Sequence, residues 1–152
     1  MKTNIADFKI IGISTRTTNE NGESAKVLGE LWGTFYSERI SAKIPNKDSD
    51  EIYAMYTDYE SDYTGKYTAI IGHKVKSLQV VPDGLIGREF KGGKYTKLVA
   101  KGEMPEAIVN LWEKVWEEDQ KLMRRYTVDF EIYGAKSQNG TESEVEVFLA
   151  TE

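Results

Sequence analysis

The chain has 152 residues, with 20 Lys and Arg against 25 Asp and Glu, so the formal net charge is −5. At 39% apolar and 30% charged it has the composition of one ordinary folded domain, and its acidic balance argues against a nucleic-acid face, which needs cations to displace counterions. The absence of Cys excludes disulfides, thiolate catalysis and cysteine-ligated metals, and the lone His73 excludes His-pair metal sites and most triads. No apolar run approaches the ~20 residues of a membrane span, and Met1–Asp7 has no hydrophobic signal core. The expected location is therefore cytoplasmic, with no membrane or direct nucleic-acid partner.

The pattern predicts a first strand near Phe8–Arg16, after about seven preceding residues. A helix follows from Ser24, a candidate N-cap, to Ile40. Leu28, Leu31, Trp32 and Phe35 take the i, i+3, i+4, i+7 spacing of one buried helical face. Pro45–Asp48 marks a loop. Strands near Glu51–Tyr59 and Lys66–Lys76 form a hairpin around Thr64-Gly65. After the turn Pro82-Asp83-Gly84, a strand is expected at Lys94–Lys101. A second helix runs from Pro105, suited to the first helical position, to Met123, burying Ile108, Leu111, Trp112 and Val115. Strands near Thr127–Gly134 and Glu144–Ala150 flank the turn Asn139-Gly140.

This order is strand–helix–strand–strand, twice. Leu28–Glu38 lies without gaps over Ile108–Glu118, matching Leu31 to Leu111, Trp32 to Trp112, Tyr36 to Trp116 and Glu38 to Glu118. Tyr53–Tyr56 lies over Phe130–Tyr133. The expected fold is α+β: one domain of two duplicated modules (about 1–78 and 79–152) with pseudo-twofold symmetry, a mostly antiparallel sheet and two main helices.

The two copies differ where a site could be. Gly29 and Gly33 sit four apart on the first helix, each costing about 1 kcal/mol relative to Ala. Close helix packing or space for a ligand would each account for them. In Asp129–Tyr133, alternation sets Phe130 and Ile132 on one face and Asp129, Glu131 and Tyr133 on the other. The equivalent of Glu131 in the first copy is Ala54, so a duplicated groove carries this carboxylate on one side only. A carboxylate beside aromatic rings suits a flat organic cation, although a strand glutamate is ordinarily solvated. Tyr36, Tyr56 and Trp116 join the candidate groove through the repeat, with Trp32 beside them. The Tyr-rich hairpin Ile52–Thr68 lacks calcium-loop spacing. His73 reads as a packed strand residue, and Gly92-Gly93-Lys94 lacks the rest of a phosphate loop. No cofactor or metal is called for.

The duplicated order, with Ile52–Asp62, Gly93–Tyr95, Leu111-Trp112 with Trp116, and Asp129–Tyr133, resembles the GyrI-like effector-binding domains found in AraC-type and MerR-type bacterial regulators. The resemblance covers nearly the whole chain. It implies a ligand groove between the modules and binding of amphipathic, often cationic, aromatic molecules. It assigns the groove carboxylate to Glu131 through the Phe-Glu-x-Tyr context, and it brings in Tyr133, Tyr95 and Trp112. The sequence departs from the regulators in having no DNA-reading helix pair.

A small-molecule receptor is the leading expectation, with any gene regulation passing through a partner protein. Two alternatives stand beside it. One is a hydrolase of strained cyclopropane-type genotoxins, in which Glu131 would be the catalytic residue. The other is a protein-interaction module resembling gyrase inhibitors.

Overall fold

The computed structural model describes residues 1–152. Eight strands form one antiparallel sheet: β1 (Lys2–Ile5), β2 (Phe8–Thr18), β3 (Ile52–Thr57), β4 (Lys66–Val75), β5 (Ile86–Phe90), β6 (Gly93–Lys101), β7 (Val128–Tyr133) and β8 (Glu144–Ala150). The spatial order is β1-β6-β8-β7-β3-β4-β2-β5. Helix α1 (Glu23–Ser37) is followed by the short α2 (Ile40–Lys43), and α3 (Glu106–Glu117) by the short α4 (Asp119–Leu122). No helix is long and apolar enough to cross a membrane.

Strand alternation divides the side chains between two faces. Phe8, Ile10, Tyr53, Met55, Tyr95, Phe130 and Phe148 fill the face that carries no main helix. There the sheet curls over an aromatic centre, with Phe130 4.9 Å from Phe148, 5.2 Å from Phe8 and 5.4 Å from Tyr95 between ring centroids. The other face carries both helices. Leu31 and Phe35 of α1 pack on Ile11, Tyr67 and Ile71, and Ile108 and Val115 of α3 pack on Ala100, Val145, Val147 and Leu149. The residues spaced for burial on each helix are the ones that meet the sheet.

The two halves share the order β2-α1-β3-β4 and β6-α3-β7-β8, and they join at the β3–β7 pair, where Ala54 lies opposite Glu131. They also trade edge strands. β1 pairs with β6, and β5 pairs with β2. The two crossing segments touch: the Asp7 carboxylate accepts the Gly92 N–H at 2.7 Å. A Cβ on Gly92 would stand 1.9 Å from the Ile5 carbonyl oxygen, so only glycine permits this crossing.

β1 and β5 are additions to the sequence reading, which began the first strand at Phe8 and passed from the turn at Gly84 to Lys94. Both are short edge strands, paired on one side only, with too few apolar residues to announce themselves. Both helices are also shorter than their periodicity implies. α1 stops at Ser37 because Arg39 turns left-handed, φ 51°, before α2 begins. α3 gives way at Glu118 to α4. The N-cap of α1 is Gly22 in a left-handed conformation rather than Ser24.

Candidate functional site

Glu131 occupies the middle of β7 on the helix-bearing face and is buried, 2% exposed. Its cross-strand partners are Val147 on β8 and Ala54 on β3, whose small side chain leaves room for it. Three donors close on the carboxylate. Tyr56 of β3 and Tyr133 of β7 donate their hydroxyls to Oε1 at 3.0 and 2.8 Å. Trp112 of α3 donates its Nε1–H to Oε2 at 2.6 Å. Burial pushes the Glu131 carboxyl above the usual range, opposed by the bonds from Trp112, Tyr133 and Tyr56. The same burial, reinforced by the Glu131 charge, drives the Tyr56 and Tyr133 hydroxyls far above their ordinary value.

Outside this quartet lies a cleft of about 750 Å³. Trp32 and Tyr36 of α1 form one wall, Met104, Pro105 and Ile108 another, and Tyr133 the inner end. The Trp32 ring stands edge-on to Tyr133 at 5.0 Å and stacks on Tyr36 at 6.0 Å. Two exposed carboxylates, Asp50 and Glu51, also line the cleft. Tyr133 therefore belongs to both features: its ring walls the cleft, and its hydroxyl holds Glu131.

A second buried charge supports the first. Asp129, two residues before Glu131 on the same face, is fully buried. It accepts from Tyr59 at 2.5 Å, from Arg124 Nη2 at 2.6 Å and from the Ala150 N–H at 2.8 Å. Arg124 is itself buried, and its guanidinium lies 5.7 Å from the Trp112 ring centroid and 4.3 Å from that of Tyr126. Tyr126 donates to Asp119 beside it. The ring that holds Glu131 is thus backed by a fixed cation.

Of the residues expected in the groove, the structure gathers Glu131, Tyr133, Trp112 and Tyr56 into one hydrogen-bonded unit, and sets Trp32 and Tyr36 on the cleft wall. Two candidates lie elsewhere. Tyr95 is buried in the aromatic centre on the opposite face, because its position on β6 points it away from the helices. Trp116, one turn beyond Trp112, stacks on Tyr63 of the β3–β4 loop at 6.0 Å and 9°. It lines neither the cleft nor the Glu131 shell. Gly29 and Gly33 face open space, with nothing within 4 Å of a Cβ built on either, so neither close helix packing nor the cleft explains them. His73 is a buried strand residue. Its Nδ1–H donates to the Glu51 carbonyl at 2.8 Å, and its Nε2 receives the Ser41 hydroxyl at 2.6 Å. Burial lowers its pKa.

Sequence reasoning missed Asp50, Glu51 and the Met104–Ile108 wall, which come from loops and from the start of α3. It also missed Arg124 as the partner of Asp129. The available signal was Asp129 on the same strand face as Glu131, where a second inward carboxylate requires a cation.

A curled antiparallel sheet bearing two helices places the chain in a class of effector-binding domains, here with a carboxylate sealed among rings at the centre of the sheet. Residues 3–150 match the family of Cass2, the integron-associated effector binding protein, and the chain belongs to that family. It is thereby related to the GyrI-like effector-binding domains. An integron cassette protein from the mobile metagenome of Vibrio cholerae is 32% identical, with a TM-score of 0.74 over 100% of this chain and 95% of that one. YobU of Bacillus subtilis (strain 168), named as a candidate transcriptional regulator, is 25% identical over 93% of this chain and 91% of its own. The fold is also that of SAV2435, whose structure was solved bound to tetraphenylphosphonium, with a TM-score of 0.83 at 18% identity over 100% of this chain and 93% of that one.

Proposed function

We propose that this protein is a receptor for amphipathic aromatic cations, which enter the cleft beside Trp32 and Tyr36 and are neutralised by Glu131. The observation that carries this reading is the double role of Tyr133. A ligand in the cleft rests against the Tyr133 ring, and behind that ring lies a buried carboxylate. Rotation of Tyr133 releases one hydrogen bond and brings the cation to Glu131. The aromatic faces add cation–π attraction, and displacement of water strengthens the ion pair. Asp50 and Glu51 bias the entrance toward positive charge. The tetraphenylphosphonium held by SAV2435 is a molecule of this chemical class. Binding accounts for the geometry better than hydrolysis, because each oxygen of Glu131 already accepts from a fixed side-chain donor, which suits a stationary charge more than a base that must move a proton.

Tryptophan fluorescence tests the proposal, since Trp32 and Trp112 flank the cleft and the carboxylate. Titration with tetraphenylphosphonium should saturate, whereas neutral triphenylphosphine oxide should bind at least about tenfold more weakly. Glu131→Gln should remove most of that preference. Equal binding of both probes to the parent, or an unchanged preference in Glu131→Gln, would refute the assignment of Glu131.

A further inference from the structure

A second cavity of about 480 Å³ adjoins the cleft. Tyr36, Asp50 and Ile52 line both spaces, so the two are neighbours across these three residues. The second cavity also carries the opposite charge, contributed by Arg39 and Lys47, which do not line the cleft. Neither takes part in any of the ion pairs of the protein. Lys47 donates only to the Ser41 carbonyl, at 3.1 Å. Its segment is fixed by a bridge from Lys47 to Val75 at the end of β4. Arg39 makes no side-chain hydrogen bond, and it occupies a left-handed backbone position, φ 51°, that ordinarily favours Gly or Asn. The chain thus keeps a free guanidinium where a small residue would be more comfortable. Ser41 lines the same cavity, its hydroxyl anchored on buried His73. The nearby counter-charge is Asp50, on the boundary with the cleft.

From the aromatic cleft to this cavity, the surface runs from carboxylates to unpaired cations. We infer that Arg39 and Lys47 form an anion subsite joined to the cleft, so that the preferred ligand class is an aromatic zwitterion: a lipophilic cation carrying a carboxylate, sulfonate or phosphate arm. This rests on the cation-binding reading of the cleft. Arg39 presents a planar fork suited to such oxyanions, and Lys47 adds a point charge.

Three probes separate the two readings: tetraphenylphosphonium, rhodamine B with its free carboxylate, and the ethyl ester of rhodamine B, which is a plain cation. The parent should bind rhodamine B at least as tightly as the ester, although the cleft itself is acidic. Arg39→Gly relieves the left-handed backbone and keeps the protein folded. Arg39→Gly and Lys47→Gln should each weaken rhodamine B roughly threefold to fivefold, and together about tenfold, the scale of partly exposed ion pairs. The ester and tetraphenylphosphonium should change by less than about twofold. Rejection of rhodamine B by a parent that binds the ester, or an equal loss for acid and ester in the variants, would overturn the anion subsite and leave the cation cleft standing. Failure of the parent to bind any of the three would overturn both.

Discussion

Glu131→Gln is expected to stabilise the empty protein while weakening its hold on cations. The amide can keep all three hydrogen bonds, its carbonyl turned to Trp112 and its NH2 to the hydroxyls of Tyr56 and Tyr133, which can accept. The substitution therefore removes a buried charge and little else. Burial raises the Glu131 pKa above its ordinary 4.5, so between that value and the higher folded one the native state holds a proton that the unfolded chain has released. That contribution to stability is complete below about pH 4.5 and is lost as pH rises through the higher folded value. At pH 7 the loss cannot exceed about 3 kcal/mol, the cost of keeping a carboxyl protonated about 2.5 pH units above its ordinary value of 4.5. For a chain of this size each kcal/mol moves Tm by about 2–4 °C, so the gain reaches at most about 12 °C. Thermal unfolding followed by circular dichroism from pH 4 to pH 8 reads it directly. Glu131→Gln should match the parent near pH 4 and melt progressively above it toward pH 8. A variant that melts below the parent at pH 7, or a gap independent of pH, would show that the three donors outweigh burial.

Other perturbations follow from the same geometry. Gly29→Ala and Gly33→Ala should each stabilise by about 1 kcal/mol, because α1 gains helix propensity and the new methyl meets nothing; a lower Tm for either would contradict the open space beside them. Asp129→Asn and Arg124→Met should each cost about 3–5 kcal/mol in urea unfolding, since each strands a buried charge. The double variant should cost clearly less than the sum, and strict additivity would refute the pairing. Tyr133→Phe deletes one donor to Glu131 at a cost of about 1–2 kcal/mol. It should also raise the Glu131 pKa further, so the pH at which tetraphenylphosphonium binding is half-maximal should move upward; a downward movement would contradict the role of the hydroxyl.

The helical faces were legible in the sequence because amphipathic spacing is local: Leu31, Phe35, Ile108 and Val115 are buried where periodicity sets them. Alternation likewise separates Phe130 from Glu131, but laying Tyr53–Tyr56 over Phe130–Tyr133 gave only equivalent positions, and the antiparallel register that sets Ala54 opposite Glu131 was not read from it. Tyr95 shows where such reasoning stops. A short matching segment places a residue on a strand, but which face it joins depends on the register with β1 and β8, set by residues far away in the chain. Trp116 fails for a related reason. It sits one turn from Trp112 on the same helix, yet the β3–β4 loop supplies Tyr63 as its partner, and no local pattern announces that contact. The edge strands β1 and β5 were illegible because pairing on one side demands little apolar content.

The sealed carboxylate also bears on selectivity. In the empty protein Glu131 is satisfied, and opening the seal releases the Tyr133 bond while exposing a charge. On the proposed reading, any ligand that turns Tyr133 aside incurs that cost, about 1–3 kcal/mol. A cation recovers it through the ion pair with Glu131, and a neutral molecule of the same shape does not. The difference amounts to about tenfold to a hundredfold in affinity before any contact with the cleft walls is counted. Aromatic walls alone would accept either ligand, so discrimination resides in the group the empty cleft does not expose. The same logic fixes the pH response. Cations bind the ionised carboxylate, so their affinity should rise with pH through the elevated Glu131 pKa and then level, whereas in Glu131→Gln it should stay flat. A parent affinity for tetraphenylphosphonium that is constant from pH 4 to pH 8 would mean that the ligand never reaches Glu131, and that the cleft works through its rings and rim carboxylates alone.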